Sequence, residues 1–533
     1  MNKLLTISLF LAVLNTWAQR DYPILWGDEG RSSGSLIEIL PKSNVDFYTL
    51  RWQGSSTFGN YRIAEHENLS FIQQKRIKTV AQNGLANFET AFYFGNKLLV
   101  FLSDRNNNEM SLYVQSYDEM LVSEGETELL ATYTNPRIGG TANFKIIQSP
   151  NRKYIGIVWE IPGRRATADV FGYKVIDETR SVVQSGEYVV PFEGNLATIN
   201  EHHISNNGAY FLSITEHNRP NDRMFTRNFD NYKALHLYKI QNDILKEFSV
   251  QVEGLRIDDL QLNSSENNYL TLTGLYGRGI RNGIEGIVTV KIDTKTDSIL
   301  SKGTVVFGSE ITMERWNGMT ANDWNQNNMN NPNWNNRAFN QNNNNTFYDY
   351  LLRDLFVLED GSVVGSMEQY YVYRRVNYDN RTGMTSNITY YYYDDIIAFK
   401  LDPNGQLAWQ QRIPKSQVSM NDGGPYSSYS SFSDGKYLNF IFNDNQRNYS
   451  DEGLFNVEGR RIFSFNLSRR NNVGAIVQID VNSGATTRKT MFTRKEIGAL
   501  VIPKLFKINL ETKEILLYSI LGTREKFGLL NFK

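Results

Sequence analysis

A recurring unit constrains this chain more than any other feature: a tight polar turn, then a strand that alternates apolar and polar residues. Its clearest copy is the stretch from Ile396 to Ile413, IIAFKLDPNGQLAWQQRI. Ile397, Phe399 and Leu401 alternate with Ala398, Lys400 and Asp402, which sends the two sets to opposite sides of a sheet. Asp402, Pro403, Asn404 and Gly405 make the turn, because Pro fixes φ and Gly accepts a positive φ. Leu407, Trp409 and Gln411 then run back along the first strand.

The unit repeats. Alternating strands behind short polar turns recur at Val45, Leu98, Tyr154, Tyr210, Tyr269, Val363, Tyr437 and Ile515. The spacing is 53 to 59 residues through the first five and 74 to 94 afterwards. A second series follows out of phase, at Tyr61, Leu112, Tyr173, Leu237, Val290, Phe399 and Val477. Each unit therefore holds four strands, A to D, joined mostly by tight turns. Units of that size and pattern predict a single all-β β-propeller of four-stranded antiparallel blades. The count favours eight blades, or seven if one weak unit is not a blade. A set of β-sandwich domains is the alternative, since sandwiches also give short strands with regular turns.

Closure is legible too. The last unit has strands near 500–510, 515–521 and 527–532 and then ends, one strand short. Tyr22, Pro23, Ile24, Leu25 and Trp26 offer a strand ahead of the first full unit. This N-terminal strand is expected to complete the last blade and remove the open edge.

Composition agrees with strand. Aromatic residues make up 13% of the chain, with 30 Tyr and 30 Phe, and these side chains suit half-buried pleated surfaces. The formal net charge of −1 gives no electrostatic case for nucleic acid. The absence of cysteine excludes disulfides, thiolate metal sites and a cysteine nucleophile. Residues 1–18 read as a signal peptide: Lys3, the apolar run Leu4 to Leu14, then Thr16 and Ala18 at the small-residue positions before Gln19. The expected domain is then 19–533, exported to the periplasm, to the outer membrane or outside the cell, with no membrane span.

In a four-stranded blade the B–C and D–A connections share one face, and the A–B and C–D turns share the other. The long connections all fall on the first: an Asn-rich insertion at 309–347 and long loops at 374–390 and 444–472, with shorter ones at 216–232, 276–285 and 104–109. Within 317–346, 15 of 30 residues are Asn. This is either a low-complexity loop or an adhesive one whose aromatics, Trp324 and Trp334, stack on sugar or protein. Tyr373 and Tyr378 belong to a Tyr-rich run that can continue strands B and C as a long hairpin beyond the ring, and exposed Tyr offers large contact area. The arginine pairs Arg164 and Arg165, Arg374 and Arg375, and Arg460 and Arg461 could hold acidic groups, or be solvated loop charges. Those ten residues are the candidate ligand contacts.

No catalytic constellation is found. His202 and His203 are neighbours on a strand and must face opposite ways; with His217 and His236 they make no metal site. Asp104, Asn106 and Asn108 begin like a calcium loop, but Glu109 stands where Gly is needed and Gln115 where Glu is needed. There is no P-loop and no G-x-S-x-G elbow.

The stretch around Asp402, Gly405 and Trp409 resembles the repeat of quinoprotein-type propellers and of other secreted bacterial propellers. Asp480 and Gly484 keep part of that pattern. The resemblance implies the fold and a structural role for these residues. The calcium-ligand and cofactor-stacking residues of quinoproteins have no counterpart here, so no cofactor is expected. The expected role is a non-enzymatic binding or scaffold protein of the bacterial cell envelope, taking a protein or glycan on its loop-rich face. The alternative is a carbohydrate-active hydrolase or lyase with acids at the channel mouth.

Overall fold

The computed structural model describes residues 23–532, except 56–57, 83, 136–142, 162, 164–166, 194–195, 220–230, 242–243, 253, 266–267, 278–283, 309–314, 317–318, 321–349, 379–380, 382–384, 457–461 and 468–469. Among the described residues the strands form eight antiparallel sheets of four or more strands, plus two short two-stranded ribbons. In each of the first seven sheets the strands lie in chain order, so consecutive strands pair directly. The fifth is typical: Arg256–Ser264, Tyr269–Gly277, Gly286–Asp293 and Ser298–Val306.

The turn chemistry that opens the outer strand is the same in several sheets. Asp402 Oδ1 accepts from the Asn404 and Gln406 amides at 2.9 and 2.8 Å, and Gly405 sits at φ +82°. Asp480 does the same for Asn482 and Ser483, Asp293 for Lys295 and Thr296, and Asp177 for Thr179 and Ser181. A carboxylate that satisfies turn amides competes with continued strand and so fixes where the chain reverses.

The sheets stack face to face around a ring. First strands contact first strands of the next sheet: Ser35–Pro41 meets Asn87–Phe94, and Phe144–Gln148 meets Ala197–Ile204. Ala197–Ile204 meets Arg256–Ser264, which meets Tyr350–Val357, which meets Ser430–Ser433. The first strands therefore face the axis. The second strand of each sheet is buried on both sides. In the fifth sheet Leu270 and Leu272 pack toward the fourth, while Leu275 packs toward the sixth. Each seam between neighbouring sheets holds its own apolar cluster, and the last cluster joins Leu516, Tyr518 and Phe527 of the eighth sheet to Ile39, Phe47 and Leu69 of the first. Burying one such side chain contributes about 1.5–3 kcal/mol. The chain is an all-β β-propeller, closed as the sequence predicts: Ile24–Trp26 pairs antiparallel with Arg524–Asn531, Ile24 opposite Leu530.

Two of the expected connections are largely strand, the first as the long hairpin that its tyrosines allow. The second and third strands of the sixth sheet, Val363–Tyr378 and Thr385–Leu401, stay paired out to Tyr378 opposite Thr385. Residues 374–390 are thus largely a hairpin, because the alternating Tyr, Val and Ile continue the ladder. Asn106 pairs with Glu109, so 104–109 is a two-residue turn. A short helix that the periodicity does not announce, Arg494–Ile497, is held by a capping box between Thr493 and Glu496.

Candidate functional site

The inner strands carry a feature with a chemical consequence. Five of them are interrupted by a bulge at or next to an acidic residue: the register shifts between Leu36 and Glu38, between Phe88 and Thr90 around Glu89, between Ile199 and Glu201, between Ile257 and Asp259, and between Leu352 and Leu355 around Asp354. A bulge leaves one residue unpaired and re-aims its neighbour. Three of these carboxylates bridge to the next sheet. Glu201 accepts the Leu262 amide at 2.8 Å, Asp259 accepts the Leu352 amide at 3.0 Å, and Asp354 accepts from Ser431. Each bridge satisfies a polar group on the axis-facing edge of the neighbouring sheet. Burial, with the charge of Asp259 adding and the Leu262 amide opposing, pushes Glu201 up to about 8. Burial likewise raises Asp354, against its hydrogen bond from Ser431.

The densest polar cluster lies on the face that carries the long connections. Glu368, on the second strand of the sixth sheet, is fully buried and accepts four hydrogen bonds. Arg353 Nε and Nη2 reach its Oε2 at 3.1 and 2.8 Å, Ser428 Oγ reaches the same oxygen at 2.7 Å, and Lys415 Nζ reaches Oε1 at 2.9 Å. Burial alone would raise Glu368, but Lys415 and Arg353 outweigh it and hold the carboxyl below its ordinary value. Gln417 locks the floor, donating to the Asn443 carbonyl and accepting the Ser428 amide. Arg353 remains 31% exposed at its side chain.

Above this base sits an aromatic layer. Tyr370 and Tyr393 are cross-strand partners with ring centroids 4.8 Å apart. The Arg353 guanidinium lies 5.9 Å from the Tyr370 ring, and Lys504 Nζ lies 4.2 Å from the Tyr393 ring. Lys504 comes from the eighth sheet and also donates to Tyr393 Oη at 3.0 Å and the Gly424 carbonyl at 3.1 Å. Burial lowers Lys504 to about 8; Arg353 and Lys415 add to that, while Glu368 and Asp422 oppose it. The site thus draws on the sixth sheet, its connection to the seventh, and the eighth. The connection is itself ordered against the hairpin: Gln417–Met420 pairs with Tyr390–Tyr393, and Gln417 bridges to Phe465 of the seventh sheet's long loop.

Of the ten predicted contacts, the structure describes four in whole or part. Tyr373 is half-buried, its ring 6.1 Å from that of Tyr390, and Arg374 and Arg375 are exposed on the same hairpin. Tyr378 ends the strand, and its side chain lies outside the described residues. Arg164, Arg165, Trp324, Trp334, Arg460 and Arg461 lie outside the described residues, as does segment 1–18. The histidines diverge as alternation requires: His202 contacts Tyr210 and Glu160, whereas His203 contacts Ser264. No acid–histidine group able to hold a metal occurs among the described residues. The opposite face is shaped differently, with a cleft of about 660 Å³ lined by Asn44, Arg152, Lys153, Lys507, Asn509 and Glu511.

Sequence reasoning missed Arg353, Glu368, Lys415 and Lys504. Two signals could have found them. Both lysines follow the tripeptide pattern Ile-Pro-Lys, at Ile413 to Lys415 and at Ile502 to Lys504. Four of the five bulged inner strands share an apolar-x-acid pattern: Leu36 to Glu38, Ile199 to Glu201, Ile257 to Asp259 and Leu352 to Asp354.

No protein-family model and no curated protein matches the chain. Among solved structures it is similar to prolyl oligopeptidase B from Galerina marginata, at 10% identity and a TM-score of 0.37, covering 96% of this chain and 55% of that one. It is similar to the polysaccharide lyase Uly1 at 9% identity and a TM-score of 0.35, covering 86% and 93%. It is similar to the WD40 domain of SCAP from fission yeast at 8% identity and a TM-score of 0.35, covering 96% and 95%. The chain spans about half the length of the oligopeptidase. These likenesses concern the fold.

Proposed function

We propose that this chain is a non-enzymatic binding or scaffold protein of the bacterial cell envelope, exported by its N-terminal segment. It grips a protein or glycan on the face that carries its long connections. The observation behind this reading is the sixth sheet. Its second and third strands run 16 and 17 residues, while the corresponding strands of the fifth run 9 and 8. The surplus forms a hairpin of paired tyrosines, buttressed by Gln417–Met420 and carrying the exposed pair Arg374 and Arg375 toward its tip. Tyrosine and arginine on a rigid support are the side chains that dominate binding energy at interfaces. The repeat at Asp402, Gly405 and Trp409 is read as the quinoprotein-like secreted type, which assigns those residues to the scaffold. Attachment at the outer membrane is part of the proposal.

The test is a shortened hairpin. An Asn-Gly turn joining Tyr373 directly to Tyr390 keeps their native pairing and removes the tip. The full ring is expected to retain an envelope partner that the shortened ring loses, at unchanged melting temperature. Equal recovery by both rings would reject the hairpin as the contact surface.

A second reading is favoured by one observation. Glu201 and Asp259 sit on adjacent inner strands, and Glu201 titrates near 8, where a carboxyl could serve as a general acid. On that reading the protein is a carbohydrate-active hydrolase or lyase. Glu201→Gln would abolish turnover of an acidic or neutral polysaccharide if it holds, and the wild-type ring would release no reducing ends or unsaturated products if it does not.

A further inference from the structure

We propose that the mouth of the ring on the loop-bearing face holds an anion-binding site, built from Lys504 and Arg353, that takes an acidic polysaccharide. The inference names a ligand class for the binding reading above and rests on it. Three cations, Arg353, Lys415 and Lys504, converge here on one buried carboxylate, Glu368. Arg353 and Lys415 both pair with that carboxylate, whereas Lys504 makes no ion pair among the described residues. Asp422 is the second acid whose charge reaches Lys504, and Asp354 is turned to Ser431.

The cations are also held in place. Arg353 is fixed through Nε and Nη2 to Glu368, while its side chain as a whole stays 31% exposed. Lys504 is tied to Tyr393 Oη and the Gly424 carbonyl. Tyr370 and Tyr393 lie between them as a tilted pair, their ring planes 43° apart. Cations ordered before binding lose little entropy when an anion arrives, and a fixed guanidinium matches the geometry of a carboxylate or sulfate.

The backbone around the site favours a glycan over a peptide. A peptide that binds by strand addition needs an open sheet edge. At Tyr390–Tyr393 that edge is already taken by Gln417–Met420. Recognition there falls to side chains, which an acidic sugar engages through its charge and hydroxyls.

Titration of the intact mature chain with hexameric oligogalacturonate, a neutral malto-oligosaccharide of the same length, and poly-glutamate tests the inference. Oligogalacturonate alone is expected to bind. Lys504→Met should weaken it about tenfold or more, and Lys504→Arg should restore it. Melting temperature checks that each variant is folded. Absence of oligogalacturonate binding, equal binding by Lys504→Met, or binding of poly-glutamate as tight as that of the sugar would overturn the proposal. The shortened hairpin separates the two readings: oligogalacturonate failure while only the full ring captures a partner overturns the anion site alone, whereas equal capture by the full and shortened rings overturns the hairpin as the binding surface.

Discussion

Arg51 in the first sheet and Glu525 in the last, 474 positions apart in the chain, meet across the closing seam, Nη2 to Oε1 at 2.8 Å and Nη1 to Oε2 at 2.9 Å. The arginine side chain is 1% exposed. Tyr518 Oη donates to the same carboxylate at 2.7 Å, and Arg51 Nε donates to Thr49. The pair therefore sits where the two ends of the chain are joined, beside the apolar contact of Phe47 with Phe527.

Removing one partner of a buried pair leaves the other charged and unpaired. Arg51→Met is expected to lower stability by about 3–5 kcal/mol. The double variant Arg51→Met with Glu525→Leu should recover much of that loss, because no charge remains buried. Denaturant unfolding of the four chains of the cycle checks this. A single variant as stable as the parent would mean that the seam does not depend on the pair.

Trp409 explains why the repeat's tryptophan belongs to the scaffold. Its indole nitrogen donates to the Val481 carbonyl at 2.8 Å, across the seam between the sixth and seventh sheets, and its ring lies against Gly484. A Cβ added at Gly484 would stand 3.0 Å from that ring, and the residue has φ +73°. Trp409→Phe keeps an aromatic ring and loses the donor, leaving the Val481 carbonyl unsatisfied. The expected loss is about 1–3 kcal/mol in thermal or denaturant unfolding, with ligand binding at the opposite face unchanged.

Glu201 sets a pH dependence with a definite sign. Its folded value is about 8 against 4.5 for the free group, so between those values the folded chain keeps a proton that the unfolded chain has released. Stability from this group is fully present below pH 4.5 and is lost as pH rises to 8. His203, lowered by burial to about 4, acts the other way and favours the fold as pH rises from 4 to 6.5. Comparing wild type with Glu201→Gln at pH 5 and pH 8 cancels the histidine. The wild type should lose more stability than the variant between those two pH values, and equal losses would show that Glu201 ionises normally.

The fold was legible because its determinants are local. Asp402 and Gly405 make their turn within four residues, and the alternation from Ile397 to Leu401 assigns both faces of a strand without outside help. The missing fourth strand of the last unit pointed to Ile24–Trp26, since an unpaired edge demands a partner. The site was not legible for the opposite reason. Glu368 meets Lys415 across 47 residues and Ser428 across 60, and Lys504 reaches Tyr393 across 111. No spacing rule joins such positions; only the stacking of the sixth, seventh and eighth units does. The exposed Arg374 and Arg375 were visible because loop arginines stand out in sequence, whereas Arg353 looked like an ordinary strand residue.

Lys504 gives the anion site its own pH signature. A lysine held at about 8 by burial and by its neighbours Arg353 and Lys415 is cationic at pH 7 and largely neutral by pH 9. A bound carboxylate or sulfate would favour the charged form, so protonation and binding must strengthen one another. Affinity for oligogalacturonate is therefore expected to fall as pH rises from 7 to 9, while Glu368, held below its ordinary value by Lys415 and Arg353, stays ionised throughout. Lys504→Arg replaces the titrating group with one that keeps its charge, and its affinity should be flat across that range. Calorimetric titrations of both chains at pH 7 and pH 9 decide the matter. A parallel decline in the arginine variant would place the titrating group elsewhere and remove Lys504 from the site.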